Sequence, residues 1–286
     1  MDTQNLRTFV ALSKQKNFTQ TAKQLFVAQS TVTNRIAELE KEIGKKLFTR
    51  DKKNIELTNE GAMFLSFAQR MIDLEETSIN QINSSSKYTK HFRIGATNSI
   101  YDCHLFPAID FFLKEHTDIA SKVSIAHSSE LLQLLQDGLL DVAFSFLPLT
   151  KQGYECIIFH SDELVLLTSS KNTKYINGIN KEELTNINYI ICNFALHEVG
   201  QYIKSLFPPY YQFSFEIDNS TKVLPYLLEG IGYSFLPRKM VEPYLDNKEL
   251  ITIPLLDFET PIINSYCIGK KSCKDLWEQL LTMDSW

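Results

Sequence analysis

The sequence predicts an α/β protein: a small helical head, one long connecting helix, and a two-lobed body in which strands alternate with helices. Three observations carry this. Charge is uneven, because residues 1–60 hold eleven Lys and Arg against seven Asp and Glu, a net +4 in a chain whose total is −5, which leaves −9 for the rest. Apolar residues recur at helical spacing up to about residue 83 and fall into strand-helix alternation from His91 onward. One stretch of the second region also repeats. A basic head on an acidic body points to two jobs in one chain, one of them on a polyanion.

With 286 residues and 44% hydrophobic content, the chain can build two or three units with real cores. No apolar run approaches the roughly 20 residues of a membrane span. The start, MDTQNLRTF, lacks the basic flank and apolar core of an export signal. A cytoplasmic location with no membrane partner is therefore expected. Cys103, Cys156, Cys192, Cys267 and Cys273 are odd in number, scattered and without a CxxC pair. Reduced, partly buried thiols are expected, with no disulfide framework, no metal site and no cofactor.

In the head, Leu6, Phe9, Val10 and Leu12 mark a first amphipathic helix, and Asn17-Phe18-Thr19 offers cap residues for a second that carries Ala22 and Leu25. After a turn at Phe26-Val27-Ala28, a third helix from about Gln29 has Val32, Ile36, Leu39 and Ile43 on one stripe, with Gly44 placed to end it. Two short extended pieces, Leu47 to Arg50 and Asn54 to Leu57, flank a charged tip at Asp51 to Lys53. Helix, turn, helix and basic hairpin is the order of a winged helix-turn-helix.

Thr58 or Asn59 can cap a long helix over about 60–83. In it Phe64, Phe67, Met71 and Leu74 repeat at three, four and three, loosely continued by Ile79 and Ile82. That spacing suits a helix packed on another helix, such as its twin in a dimer, with packing on its own domain as the alternative. The run Asn83-Ser84-Ser85-Ser86 then marks a hinge.

The body begins with HFRIGA, a helix around Leu105 to Glu115, KVSIAH, a helix over Leu131 to Gln136, and DVAFSF, and the pattern recurs after residue 161. Crossovers of this kind imply parallel strands. The stretch from His127 aligns without a gap on the stretch from Asn219, an offset of 92 residues. Ser128 meets Ser220, Ser129 meets Thr221, Leu132 meets Leu224, Leu135 meets Leu227 and Gly138 meets Gly230. Two similar lobes facing across a cleft, with helix N-termini and hydroxyls turned inward, suit a small polar or anionic ligand.

From Asn17 to Gly61 the chain resembles the DNA-binding head of the LysR-type transcriptional regulators. The residues that carry the resemblance are Ala22, Leu25, Gln29, Leu39-Glu40, Ile43-Gly44, Leu47-Phe48, Arg50, Leu57-Thr58 and Gly61. More weakly, RIGA, SSELLQLLQDGLLDVAF and LLEGIGYSFLPRKMV resemble the family's periplasmic-binding-protein-like effector domain. The resemblance implies a winged helix-turn-helix over 1–58, a linker helix and hinge over 59–90, and an effector domain over 91–286. Lobe 1 then takes about 91–161 and 264–286, and lobe 2 about 162–263. Ser30 stands where the family most often has Pro, and Thr33 where it usually has Ser, so a DNA sequence preference does not carry over.

In the geometry the resemblance implies, the third helix enters the major groove of double-stranded promoter DNA. Gln29 and Asn34 suit base edges, because amides pair bidentately with adenine, while Ser30, Thr31 and Thr33 suit bases or phosphates. Arg35 suits a phosphate, and Arg50, Lys52 and Lys53 would add salt-sensitive attraction from the wing. Phe64, Phe67, Met71 and Leu74 would join two copies, as in a dimer or a tetramer built from dimers. Thr97, Asn98 and Ser99, Ser128 and Ser129, Asn193 and Phe194, and Ser220 and Thr221 fall where the effector pocket would lie. Lys222 and His197 are candidate partners for a carboxylate ligand. Ligand binding would shift the lobes and alter recruitment of RNA polymerase.

Each pocket hydroxyl is equally a helix cap, and three other readings stay open. An enzyme on the α/β lobes lacks GxSxG, HExxH, a P-loop or a full dinucleotide fingerprint, and Cys103-His104 are merely adjacent. A solute-binding protein would not need the basic head. The third alternative is a regulator whose C-terminal domain is ligand-free and purely oligomeric.

Overall fold

The first two helices of the computed structural model begin where the sequence offers caps. The structure describes residues 1–50, 55–82, 88–192 and 198–281, in two units, Met1–Ser86 and Lys87–Trp286. In the first, the Asp2 side chain accepts from Gln4 N–H at the start of α1 (Thr3–Gln15), and Asn17 accepts from Gln20 N–H at the start of α2 (Phe18–Gln24). Helix α3 (Gln29–Ile43) follows Ala28, which supplies no side-chain cap, and ends at Gly44 with φ 74°. Its stripe is where the spacing put it: Val32, Ile36 and Leu39 have no exposed surface, and Ile36 and Leu39 pack with Leu6, Phe9, Leu12 and Leu47.

Strands β1 (Phe48–Arg50) and β2 (Ile55–Leu57) pair antiparallel, Phe48 opposite Leu57 and Arg50 opposite Ile55. Residues 51–54, and so Lys52 and Lys53, lie outside the described residues, as does the Arg50 side chain. Glu40 fastens this hairpin to α3. Its buried carboxylate accepts from Leu47 N–H at 2.9 Å, Phe48 N–H at 3.3 Å and Lys46 Nζ at 2.7 Å. Burial pushes the carboxyl up, but the Lys46 bond and the two backbone donors together hold it below the ordinary value near 4.5.

Helix α4 (Asn59–Ile82) starts at Thr58, whose Oγ1 accepts from Gly61 N–H at 2.9 Å and donates to Lys46 O at 2.7 Å. A Cβ at Gly61 would stand 2.1 Å from the Leu47 carbonyl oxygen, so only glycine permits this approach. The helix carries two apolar faces. Phe64, Ala68 and Ile72 turn inward, with the Phe64 ring 5.5 Å from that of Phe9. Met63, Phe67, Met71 and Leu74 turn outward, from 39% to 71% exposed. Phe64 is thereby corrected from the expected dimer stripe to the head's own core. The two faces start one residue apart, and a three-four-three spacing begun at Phe64 runs from one to the other.

In the second unit, β3 (Lys90–Ala96), α5 (Asn98–Ile100), a π-helical turn over Tyr101–Leu105, α6 (Phe106–Glu115), β4 (Ile119–Ile125), α7 (Ser128–Gln136), β5 (Val142–Ser145) and β6 (Tyr154–Asp162) follow in order. Pro107 lacks an N–H, consistent with a helix that restarts at Phe106 rather than running on from α5. The chain then passes to β7 (Leu164–Ser169), β8 (Ile190–Cys192), α8 (Glu198–Ser205), β9 (Phe215–Ile217), α9 (Leu224–Leu228), β10 (Ser234–Pro237), α10 (Arg238–Asp246) and β11 (Leu250–Thr252). It returns through β12 (Ile263–Lys270) and α11 (Lys274–Trp277).

One sheet has the order β4-β3-β5-β12-β6 and another β10-β7-β11, with β8 and β9 as a separate pair. Parallel pairing holds for β3 with β4 and β5 and for β8 with β9. The expectation of parallel strands fails for β12 against β5 and β6 and for β7 against β10 and β11, all antiparallel. Strand β12 enters from the other lobe, so no crossover helix sets its direction. The 92-residue repeat is structural: Leu135 and Leu227 are fully buried, Gly138 and Gly230 share φ 81°, and β5 and β10 start at Val142 and Ser234. The copies differ where Pro225 gives a 3-10 turn and the short α9 in place of a continuous helix.

Replacing Glu40 by Ala should cost about 3 kcal/mol, because two backbone N–H groups lose their buried acceptor; equilibrium denaturation measures it. The lowered carboxyl makes this contribution complete above the ordinary value near 4.5 and lost as pH falls through the folded value. Glu40→Gln should flatten that acid limb.

Candidate functional site

The outer face of α3 is polar at its N-terminal half. Gln29, Ser30 and Asn34 are exposed and Thr31 and Thr33 half-exposed. Two hydrogen bonds order this patch: Thr19 Oγ1 donates to Gln29 Oε1 at 3.2 Å, and Thr33 Oγ1 donates to the Gln29 carbonyl at 3.1 Å. Helix α2 therefore holds the Gln29 amide. Arg35 sits on the opposite flank, where its Nη1 donates to Thr8 Oγ1 of α1 at 3.3 Å, a tie that spacing alone did not reveal. The first turn of α3, without a side-chain cap, leaves backbone N–H groups for an outside acceptor.

In the second unit a cavity of about 290 Å³ is lined by Thr97, Asn98, Ser99 and Ser128 on one lobe and Asn219 and Ser220 on the other. Thr97 is 7% exposed, and its Oγ1 is buried without a hydrogen-bond partner. Ser128 Oγ accepts from Phe146 N–H at 3.1 Å. Asn98 Nδ2 crosses the cleft to Thr221 Oγ1 at 3.0 Å and Asn219 Oδ1 at 3.4 Å, and Asn219 Oδ1 also accepts from Thr221 N–H. Thr221 therefore fastens the lobes without lining the cavity. Ser129 is exposed and is not among the lining residues, which corrects its expected place. Asn193, Phe194 and His197 lie outside the described residues.

The lining also includes Ile125, Ala126, His127, Glu130, Leu147 and Asp218, which sequence reasoning missed. The repeat could have found some of them, since an offset of 92 sets His127 against Asn219 and Ala126 against Asp218. Charge runs against the carboxylate expectation, because Glu130 and Asp218 are acidic and Lys222 is not among the lining residues. Lys222 faces Asp102 instead, where it partly offsets the burial that pushes that carboxyl up.

Residues 3–62 match the family described as "Bacterial regulatory helix-turn-helix protein, lysR family", and residues 85–274 match "LysR substrate binding domain". The chain belongs to the LysR family. Among relatives, the HTH-type transcriptional regulator CitR of Bacillus subtilis is 29% identical over 276 residues, 94% of each chain. HdfR of Yersinia pestis is 28% identical over 169 residues, 59% of this chain and 57% of its own. Among solved structures, CbnR, a LysR family transcriptional regulator, aligns with a TM-score of 0.70 at 17% identity, covering 99% of this chain and 97% of that one. CbnR complexed with target DNA aligns at 0.68 and 18% identity, covering 99% and 98%.

This LysR chain is a DNA-binding transcription regulator with a substrate-binding domain, not an enzyme. Cys103 fits that reading. His104 Nε2 bonds Asp162 Oδ2 at 2.8 Å, and burial, with Asp162 and Asp102 nearby, pushes the Cys103 thiol up to about 12. Among the described residues no group of three or more His, Cys, Asp or Glu could hold a metal ion, and no helix is long and apolar enough to cross a membrane.

Thr97→Val should leave stability within about 0.5 kcal/mol of wild type, since it removes an unpaired buried hydroxyl at constant shape. Ser128→Ala should cost about 1 kcal/mol, since Phe146 N–H loses its acceptor. Urea denaturation of both variants distinguishes a hydroxyl kept for an outside partner from one kept for the fold.

Proposed function

We propose that α3 of this regulator reads promoter DNA in the major groove. Gln29 and Asn34 address base edges, Ser30, Thr31 and Thr33 address bases or phosphates, and Arg35 meets a phosphate with its remaining N–H groups. Arg50, Lys52 and Lys53 act from the wing. The observation that carries this reading is the division of α3 into a buried stripe, Val32, Ile36 and Leu39, and an exposed polar stripe, Gln29, Ser30 and Asn34, at an uncapped start. A fold similar to CbnR complexed with its target DNA supports it. In this reading residues 1–58 form the reading head, 59–90 the linker helix and hinge, and 91–286 the effector domain.

The exposed apolar stripe of α4, Met63, Phe67, Met71 and Leu74, pairs two copies at a fixed half-site spacing, and pairs of dimers make a tetramer. The cavity takes a small polar effector. Its acidic side chains Glu130 and Asp218 favour hydroxyl or amino donors over a second carboxylate. Binding there alters the lobes, which changes promoter occupancy and RNA polymerase recruitment in the cytoplasm. Thr97, with its unpartnered hydroxyl, is the first residue assigned to that ligand.

The paired variant Phe67→Glu and Met71→Glu should sediment as a smaller species than wild type, because both charges would enter an apolar seam. An unchanged sedimentation coefficient removes the stripe from the assembly. For the DNA reading, purified protein is incubated with fragmented genomic DNA of its source, and the retained fragments are sequenced at moderate salt. Enrichment of a few intergenic sites bearing an interrupted inverted repeat is expected, and Gln29→Ala should lose that enrichment while keeping salt-sensitive general retention. Absence of retention at any salt overturns the proposal.

A further inference from the structure

Phe26 combines two costly features at one point of the head. Helix α2 closes with Phe26 N–H donating to Lys23 O and Val27 N–H donating to Ala22 O, which puts Phe26 in the left-handed region at φ 55°. That position favours glycine, or else asparagine, because a Cβ crowds the backbone there. The end of α3 uses Gly44 for the same conformation. Phe26 is also 96% exposed, so its ring gains nothing from the core that would offset the strain. A lone exposed aromatic is ordinary; a lone exposed aromatic on a strained backbone position is not, and here it stands two residues before the Ala28 that opens α3. Gln29 and Ser30 are exposed just beyond. Tyr210 in the other unit has the same pair of features, φ 62° and 100% exposure, without a recognition helix beside it, and so serves as a control.

We propose that Phe26 is a DNA-reading residue, its ring seated on the C5-methyl of a thymine at the edge of the half-site contacted by α3. This rests on the reading of α3 as the major-groove helix. The chemistry follows from the groove: thymine is the one base that presents a methyl group there, and an apolar side chain at the mouth of α3 can meet it while the amides of Gln29 and Asn34 take the polar edges. Water leaves both the ring and the methyl when they meet, so the contact supplies base discrimination without a hydrogen bond.

The test uses full-length protein and duplexes carrying a site recovered by the genomic retention experiment. In these duplexes each thymine in turn is replaced by uracil, which lacks only the methyl. Wild type should weaken about fivefold at one thymine in each half-site. Phe26→Asn should unfold several degrees higher in its N-terminal unit, because asparagine tolerates the left-handed backbone. It should bind the unmodified site about fivefold to tenfold more weakly and show no further loss with uracil at that position. Tyr210→Asn should bind DNA as wild type does. Binding by Phe26→Asn equal to wild type overturns the proposal, as does a uracil effect that persists in the variant, the absence of any sensitive thymine, or destabilisation by the substitution. A wild-type protein that enriches no site overturns the reading of α3 itself, a result distinct from failure of Phe26 alone.

Discussion

The buried carboxylate of Glu40 is the point on which the N-terminal unit turns. It lies in the last turn of α3 and accepts from the backbone of Leu47 and Phe48 and the side chain of Lys46. Two of these residues, Lys46 and Leu47, carry the load onward. Lys46 O accepts from Thr58 Oγ1, Leu47 O accepts from Thr58 N–H, and Gly61 must lack a side chain because Leu47 O is already there. Helix α3, the hairpin and α4 therefore meet at the backbone of Lys46, Leu47 and Phe48 and one anion. In a low-dielectric site such a network is worth more than its members taken singly, and it fails as a unit.

The second unit solves a different problem with a repeated device. Ser128 and Ser220 head corresponding turns, and both are buried, yet one copy runs into a regular helix and the other, with Pro225, does not. The second copy is tied to the other lobe through Asn98 of α5, whose amide donates to Asn219 and Thr221. These bonds compete directly with any ligand that enters between the lobes. A ligand that replaces them shifts the arrangement only by the difference between its bonds to the two states, so a polar cleft closed by a few amide bonds is easily biased.

Much of this was legible in the sequence. Caps within Asn17-Phe18-Thr19 and at Thr58 or Asn59, the stripe of α3, the end at Gly44 and the 92-residue repeat all follow from local chemistry or spacing, and the fold then selects Asn17 and Thr58. The errors have one source. Spacing says which residues share a face, not what covers it, so Phe64 was grouped with Phe67 although the one packs on Phe9 in the core and the other is 49% exposed, with the Arg70 guanidinium over its ring. Arg35 and Thr8 are far apart in the chain, and no local rule joins them. Glu130, in the first turn of α7, and Asp218, just after β9, come together in the cavity wall only through the tertiary fold, which is why its charge was misjudged. Antiparallel β12 was missed because its direction depends on where the chain re-enters the sheet.

The double-faced α4 sets the smallest piece of this chain that can be handled by itself. Phe64, Ala68 and Ile72 close the same core as Phe9 and Phe48. A fragment cut at the end of the hairpin would carry the whole exposed polar stripe of α3 and still present an open apolar floor to water, a surface that seeks other chains. Ending the fragment near Ile82 keeps that floor covered and leaves the outward methionines and Phe67 to choose their partner. The helix-turn-helix head and α4 are therefore inherited together, since neither can be trimmed from the other without exposing oil.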